Sequence, residues 1–253
     1  MKIAVVSGAS SGMGAELVKK IDQKCPMLDE IWVIARRKER LCRLQFQVHR
    51  PLRIFDMDLA DEANLYRLKA AIDAKKPHIF VLAAAAGFGK YGKNSGLSMG
   101  DALGMIDVNV RALTALVQMS LPYMVSGGRI LLFGSSAAFA PQPGFGIYAA
   151  TKAFVLSYGQ SLGAELKKSR VFVTTVCPGP VKTEFFDHCG EGAALSAIKL
   201  MFMADPKKVV RHAWRDAMAK KPVSVYGLPM KGFRAAARVL PHRLILKVMG
   251  MFL

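Results

Sequence analysis

The sequence predicts a doubly wound α/β fold, a parallel sheet with helices on both faces. Three observations carry that expectation. Short apolar, β-branched runs alternate with longer amphipathic stretches, as strands and helices alternate in such sheets. The first run turns through glycines into a helix. A later run ends in two serines, at the edge where open parallel sheets collect ligands. The chain has 253 residues, 52% of them hydrophobic, with a mean hydropathy of +0.25. That suffices for one large domain. Residues 1–230 are read as that domain and residues 231–253 as a C-terminal helical extension.

Residues 3–6 (Ile-Ala-Val-Val) read as a buried parallel strand. Ser7, Gly8, Ala9, Ser10, Ser11, Gly12, Met13 and Gly14 follow, and then a helix with Leu17, Val18 and Ile21 on one face. Glycines in such a turn let the backbone approach a pyrophosphate closely. The helix N-terminus adds free N–H groups and a positive dipole end. Gly8, Ser10, Ser11, Gly12, Met13 and Gly14 are therefore candidate dinucleotide contacts.

The second strand, residues 30–35, ends in Arg36-Arg37-Lys38. In NAD-specific sheets an acid near this point takes the ribose hydroxyls. Here the place holds arginines, which suit a 2′-phosphate. NADP is thus favoured over NAD; the competing reading makes Arg36, Arg37 and Arg40 a solvated helix start. The third strand, residues 52–55, leads to Asp58 and Leu59. Asp58 can accept from an adenine amino group, cap the helix starting near Asp61, or do both. The fourth strand begins at residue 79 and runs into Ala84-Ala85-Ala86-Gly87. Ala85, Ala86 and Gly87 are small enough for a ribose to lie against the backbone. Loop 88–97 is glycine-rich, a candidate wall of a substrate pocket.

Ser98-Met99-Gly100-Asp101 resembles a capping box opening a long helix. Asn109 stands on that helix between Val108 and Val110, so burial and hydrogen-bond partners are expected. The fifth strand, residues 129–133, ends in Gly134-Ser135-Ser136, and the sixth, residues 171–176, in Cys177-Pro178-Gly179-Pro180-Val181-Lys182-Thr183. A last strand is expected at residues 223–226. Between the fifth and sixth strands stand Tyr148 and Lys152, four residues apart and so on one helix face. A free tyrosine hydroxyl titrates near ~10, too high for efficient proton transfer at neutral pH. An ammonium beside it favours the phenolate, which makes the hydroxyl a usable acid or base.

Together, and in this order, these stretches resemble the short-chain dehydrogenase/reductase family from the first strand through Thr183. The turn Ser7–Gly14 resembles the family's Thr-Gly-x-x-x-Gly-x-Gly, with serine for threonine. Ala84-Ala85-Ala86-Gly87 stands where the family has Asn-Asn-Ala-Gly, so a side-chain bond that braces the sheet is missing. Asn109, Ser135, Tyr148 and Lys152 match the catalytic tetrad. Ser135, thirteen positions before Tyr148, fits the family spacing better than Ser136. Pro178, Gly179, Val181 and Thr183 resemble the clasp on the nicotinamide carboxamide.

The resemblance implies a Rossmann fold and hydride exchange between NADP(H) and a carbonyl or alcohol. Tyr148 would move the proton, Ser135 would orient the reacting oxygen, and Lys152 would tune Tyr148 and hold the ribose. Asn109 would position a water on a relay towards Lys152. It also implies a homodimer or homotetramer built through the Asn109 and Tyr148 helices. In the family, residues 184–203 cover the substrate. The apolar Phe185, Phe186, Leu195, Ile198, Leu200 and Met201 then suggest an apolar substrate, or else ordinary core packing. A non-catalytic dinucleotide-binding regulator or scaffold is the alternative, disfavoured by the complete tetrad.

Composition bounds the rest. Cys25, Cys42, Cys177 and Cys189 form no Cys-x-x-Cys pair, and the five histidines show no ligand spacing, so no metal is expected. The apolar N-terminal run is too short for a signal peptide, which suggests a cytoplasmic protein. No uncharged apolar run reaches the ~18 residues of a membrane span. A net charge of +18 attracts phosphates, nucleic acid or anionic membranes. No nucleic-acid-binding motif accompanies it, so no nucleic-acid partner is expected. In residues 231–253, Lys231, Arg234, Arg238, Arg243 and Lys247 punctuate an apolar sequence without acids, and Pro241 should divide it into two helices. Such a tail suits an anionic membrane surface, or packing on a neighbouring subunit or on its own domain.

Overall fold

A computed structural model describes residues 1–189 and 203–250. Among them the strands β1 (Lys2–Ser7), β2 (Glu30–Ala35), β3 (Leu52–Asp56), β4 (His78–Ala84), β5 (Met124–Phe133), β6 (Phe172–Val176) and β7 (Val223–Ser224) form one sheet. Its order is β3-β2-β1-β4-β5-β6-β7 and every pairing is parallel. This is the doubly wound, Rossmann-like single domain that the sequence predicts. Of the expected lid, Leu195, Ile198, Leu200 and Met201 lie outside the described residues, as do Met251, Phe252 and Leu253 of the tail.

Alternation along each strand feeds two cores. Ile3 and Val5 of β1 and Trp32 and Ile34 of β2 face one side, with Leu65, Leu68 and Ile72 of α3 (Glu62–Lys75), Leu113, Leu116 and Val117 of α5 (Leu113–Ser120), and Val155 and Leu162 of α6 (Gly146–Glu165). Ala4, Val6, Ile31 and Val33 face the other, with Leu17, Val18 and Ile21 of α1 (Gly12–Lys24), Leu41 and Leu44 of α2 (Lys38–Gln45), and Val210, Ala213 and Trp214 of α7 (Pro206–Met218). Burying both faces of a parallel sheet is what makes its strands continuously apolar.

Local chemistry sets the ends. Gly8 (φ +67°) and Gly12 (φ +53°) adopt left-handed backbone in the first turn, open to glycine at little cost. A Cβ on Gly14 would fall 2.1 Å from the Gly8 carbonyl oxygen, so the turn closes only on hydrogen. The cap of α3 is Asp61, whose carboxylate accepts the Ala63 N–H at 2.9 Å. Asp58 instead closes a turn by accepting from Ala60 N–H, also at 2.9 Å. Ser98 caps α4 (Met99–Ile106) through the Asp101 N–H, as the capping box predicts.

The long helix is not continuous α-helix. Between α4 and α5 it widens into a π-turn, Asp107–Ala112, with Asn109 inside. By length and composition Met99–Tyr123 could cross a membrane. It carries Asp101, Asp107 and Arg111, and the buried residues of α5 pack on the sheet. Most strand bounds fall within one residue of expectation, and two differ by more. β5 begins at Met124, and β7, at the sheet edge, pairs with β6 over two residues only.

The tail forms α8 (Leu228–Val239) and α9 (His242–Gly250) on either side of Pro241. Its inner side packs on its own domain: Ala237 and Ile245 are buried with Ala140, beside Phe139 and Phe233. Its outer side leaves Val239 83% and Leu244 48% exposed.

Candidate active site at the carboxyl edge of the sheet

A cleft of about 370 Å³ opens where strand order reverses between β1 and β4. Its walls gather most of the candidates from the sequence. Gly8, Ser10, Ser11, Gly12, Met13 and Gly14 come from the first turn, and Arg36 and Arg37 from the end of β2. Asp58, Leu59, Ala85, Ala86, Gly87, Tyr148, Lys152 and Thr183 complete that set. Pro178, Gly179 and Val181 stand off the cleft. The Pro178 carbonyl accepts the Ser136 N–H at 2.8 Å, Gly179 abuts Met230 of α8, and Val181 is buried and bridged to Ala204. Of that motif Thr183 alone lines the cleft.

Tyr148 and Lys152 lie one turn apart on α6, both buried. Lys152 Nζ donates to the Phe133 carbonyl at 2.9 Å and sits 5.6 Å from the Tyr148 ring centroid. Ser135 accepts the Ala137 N–H at 3.1 Å, and its hydroxyl lies close enough to the Tyr148 phenol to favour the phenol's ionised form. Phe145 stacks on Tyr148 at 4.3 Å and Phe185 tilts against it at 5.4 Å. Met105, Phe88, Leu97 and Ile147 extend this apolar wall.

Asn109 is fully buried. Its Nδ2 donates to the Phe88 carbonyl at 2.9 Å and to Thr151 Oγ1 at 3.1 Å, and its Oδ1 accepts the Phe88 N–H at 3.1 Å. Thr151 Oγ1 donates in turn to the Tyr148 carbonyl at 2.7 Å. Asn109 thus ties the loop after β4 to the Tyr148 helix, a bracing contact that its burial in the sequence hinted at without naming a partner.

The electrostatics depart from the expected picture of a lysine-lowered tyrosine. Burial pushes the Tyr148 phenol above its ordinary range, and the nearby Ser135 side chain only partly opposes this. Burial also brings Lys152 down to about 8. In a dry site desolvation acts on each group separately and outweighs their mutual attraction. The phenol is therefore held protonated.

Residues 2–193 match the family model described as short chain dehydrogenase. The chain belongs to the short-chain dehydrogenases. It is 32% identical over 244 residues to the NADP-dependent 3-hydroxy acid dehydrogenase YdfG of Escherichia coli, covering 90% of this chain and 94% of the relative. It is also 32% identical over 184 residues to an uncharacterized oxidoreductase of Staphylococcus epidermidis, covering 72% and 79% of the two chains. A short-chain dehydrogenase from Sphingobium yanoikuyae, solved with NADPH, superposes with a TM-score of 0.79 at 25% identity over 94% of each chain. The protein is accordingly an NAD(P)-dependent oxidoreductase of the short-chain dehydrogenase family.

The cleft of this short-chain dehydrogenase fits a nicotinamide dinucleotide on its own chemistry. The α1 N-terminus and the Ser10 and Ser11 hydroxyls offer donors beside a glycine turn, and Arg36 and Arg37 supply cations. The brace that the missing asparagines suggested was lost is made another way: Ser7 Oγ accepts the Ala85 N–H at 3.1 Å and the Ala86 N–H at 3.2 Å. Three cleft-side contributors escaped the sequence reading. The Phe133 carbonyl and Phe145 carry no motif. Glu184 follows the Thr183 motif directly, which is the one local signal that could have drawn attention to it.

Proposed function

We propose that this protein transfers a hydride between NADP(H) and a carbonyl or alcohol of an apolar substrate. The carrying observation is the convergence of the Ser135 hydroxyl, the Tyr148 phenol and the Lys152 ammonium beside an aromatic wall. When bound, the dinucleotide supplies the hydride that adds to the carbonyl carbon. Ser135 orients the carbonyl oxygen and stabilises the charge that grows on it. Tyr148 gives its phenolic proton to that oxygen, completing the alcohol. Because burial keeps the phenol protonated, the enzyme rests at neutral pH in the form that carbonyl reduction uses. Lys152 holds the ribose and screens the phenolate left after transfer. Asn109 keeps the Phe88 loop registered on α6.

NADP over NAD rests on Arg36 and Arg37 at the end of β2, where NAD-specific sheets carry an acid. The apolar substrate rests on Phe88, Phe145 and Phe185 around the phenol. A non-catalytic scaffold has no use for a Ser–Tyr–Lys cluster with its tyrosine and lysine buried. NADPH absorbance followed against a panel of ketones and aldehydes tests the reading: loss with bulky apolar carbonyls, faster than with NADH, supports it. Inertness across the panel would favour the scaffold.

Exposed Met99, Leu103 and Ile106 on α4 and Phe154 on α6 support self-association through those helices as a dimer or tetramer in the cytoplasm, which light scattering on the purified protein checks. The outer side of α8 and α9 combines exposed Val239, Leu240, Leu244 and Leu246 with Arg238, Arg243 and Lys247. That mixture suits peripheral contact with an anionic bilayer. Full-length protein should pellet with phosphatidylserine vesicles and a chain ending at Lys231 should not; equal pelleting removes the membrane reading.

A further inference from the structure

Glu184 lies at the mouth of the cleft and touches the cationic end of β2. Its Oε2 accepts from Arg37 Nη1 at 2.8 Å, and its Oε1 accepts from Arg40 Nη1. Arg37 Nη2 also donates to Ser11 Oγ at 2.8 Å and to Ser10 Oγ at 3.3 Å. Each carboxylate oxygen thus takes one guanidinium, the arrangement that two oxygens of a phosphate would take with the same pair. Arg36 has its own partner, Asp58, at 3.7 Å. Hydrogen bonds and charge from Arg40 and Arg37 hold the Glu184 carboxyl below the usual carboxylate range, so it is an anion at neutral pH.

We propose that Glu184 is a built-in counter-anion of the 2′-phosphate site, which a phosphorylated ribose must displace from Arg37 and Arg40. The proposal rests on the NADP reading above and deepens it. Glu184 is a specificity-determining residue: it lowers affinity for 2′-phosphorylated ligands and leaves unphosphorylated ones nearly untouched. Without it, Arg37 and Arg40 would stand as unpaired cations, open to any phosphate. The contact also has a geometric reach. Glu184 is bonded in sequence to Phe185, which packs on the Tyr148 ring at 5.4 Å. Displacing the carboxylate therefore acts on the segment that walls the phenol.

Calorimetric titration tests this without turnover. Wild type and Glu184→Gln are titrated with 2′,5′-ADP and with 5′-AMP, two fragments that differ by the 2′-phosphate. Glutamine keeps the size and removes the charge at a side chain about one-third exposed. The expected result is a roughly three- to tenfold tighter 2′,5′-ADP complex in the variant, the scale of one or two partly exposed ion pairs, with 5′-AMP unchanged. Unchanged or weaker 2′,5′-ADP binding in a variant with wild-type circular dichroism overturns the proposal; weaker binding would make Glu184 a brace for the arginines. If the wild type does not prefer 2′,5′-ADP to 5′-AMP, the NADP reading falls and takes this proposal with it. A wild-type preference whose size Glu184→Gln does not increase sinks the proposal alone.

Discussion

The hydroxyl of Ser135 lies beside the phenol of Tyr148 and favours its ionised form, whereas Ser136, its neighbour, exerts no such pull on the phenol. The two serines are therefore unequal. Ser135→Ala should lower kcat by about 10²–10³, the size of losing one oxyanion donor, and Ser136→Ala should leave it close to wild type. Tyr148→Phe should abolish turnover while NADPH fluorescence titration gives an unchanged Kd. Full activity in Tyr148→Phe would end the catalytic assignment.

Burial raises the Tyr148 phenol, so its deprotonated form is scarce at neutral pH. Alcohol oxidation needs that form as base, and carbonyl reduction needs the protonated one. The oxidation rate should climb with pH through the ordinary tyrosine range near ~10. Reduction should show no loss from this group at pH 6–8. Initial rates in both directions across pH 6–10 check this, and an oxidation optimum near pH 7 would contradict it.

Lys152 is stored at a cost to the fold. Its folded value of about 8 lies below the ~10.4 of an unfolded lysine, so the unfolded chain binds the proton more tightly. The penalty is full below pH 8 and fades as pH rises to ~10.4. Lys152→Met should thus be inactive yet more stable at pH 7, by an order of 1–3 kcal/mol, with the gap to wild type closing across that window. Urea melts at pH 7 and pH 10 measure it.

Asp216 works in the opposite sense. Burial alone would raise its carboxyl, but Lys221, Ser224 and His212, at 2.9, 2.8 and 3.0 Å, hold it below the usual range. Its contribution is present above the unfolded value near ~3.9 and is lost as pH falls through the lower folded one. Asp216→Asn should cost about 1–3 kcal/mol at pH 7 and flatten the acid limb of the stability curve. An unchanged acid limb would refute the assignment.

Two glycines separate space from propensity. A Cβ on Gly159 would lie 2.2 Å from Thr175 Oγ1 and 3.2 Å from Leu132 Cδ1, where α6 meets the sheet. Gly159→Ala should therefore destabilise by about 1–3 kcal/mol despite the helix-propensity gain. On α8 nothing lies within 4 Å of a Cβ on Gly232. Gly232→Ala should stabilise by about 0.5–1 kcal/mol. Thermal melts of the pair decide both signs.

The order of strands and helices, the glycine turn and the Tyr148–Lys152 face were all legible in the chain. Each is written within a few neighbouring residues, through period-2 or period-3.6 spacing or through backbone freedom at Gly8 and Gly12. The helix break at Pro241 was legible for the same reason. Tertiary structure alone decided what depends on partners distant in sequence. Ser7 reaches across 78 residues to the Ala85 N–H, and Glu184 across 147 to Arg37. Burial also belongs to the fold: it reversed the expected effect on Tyr148, because desolvation depends on everything packed around a group and not on the lysine four residues away.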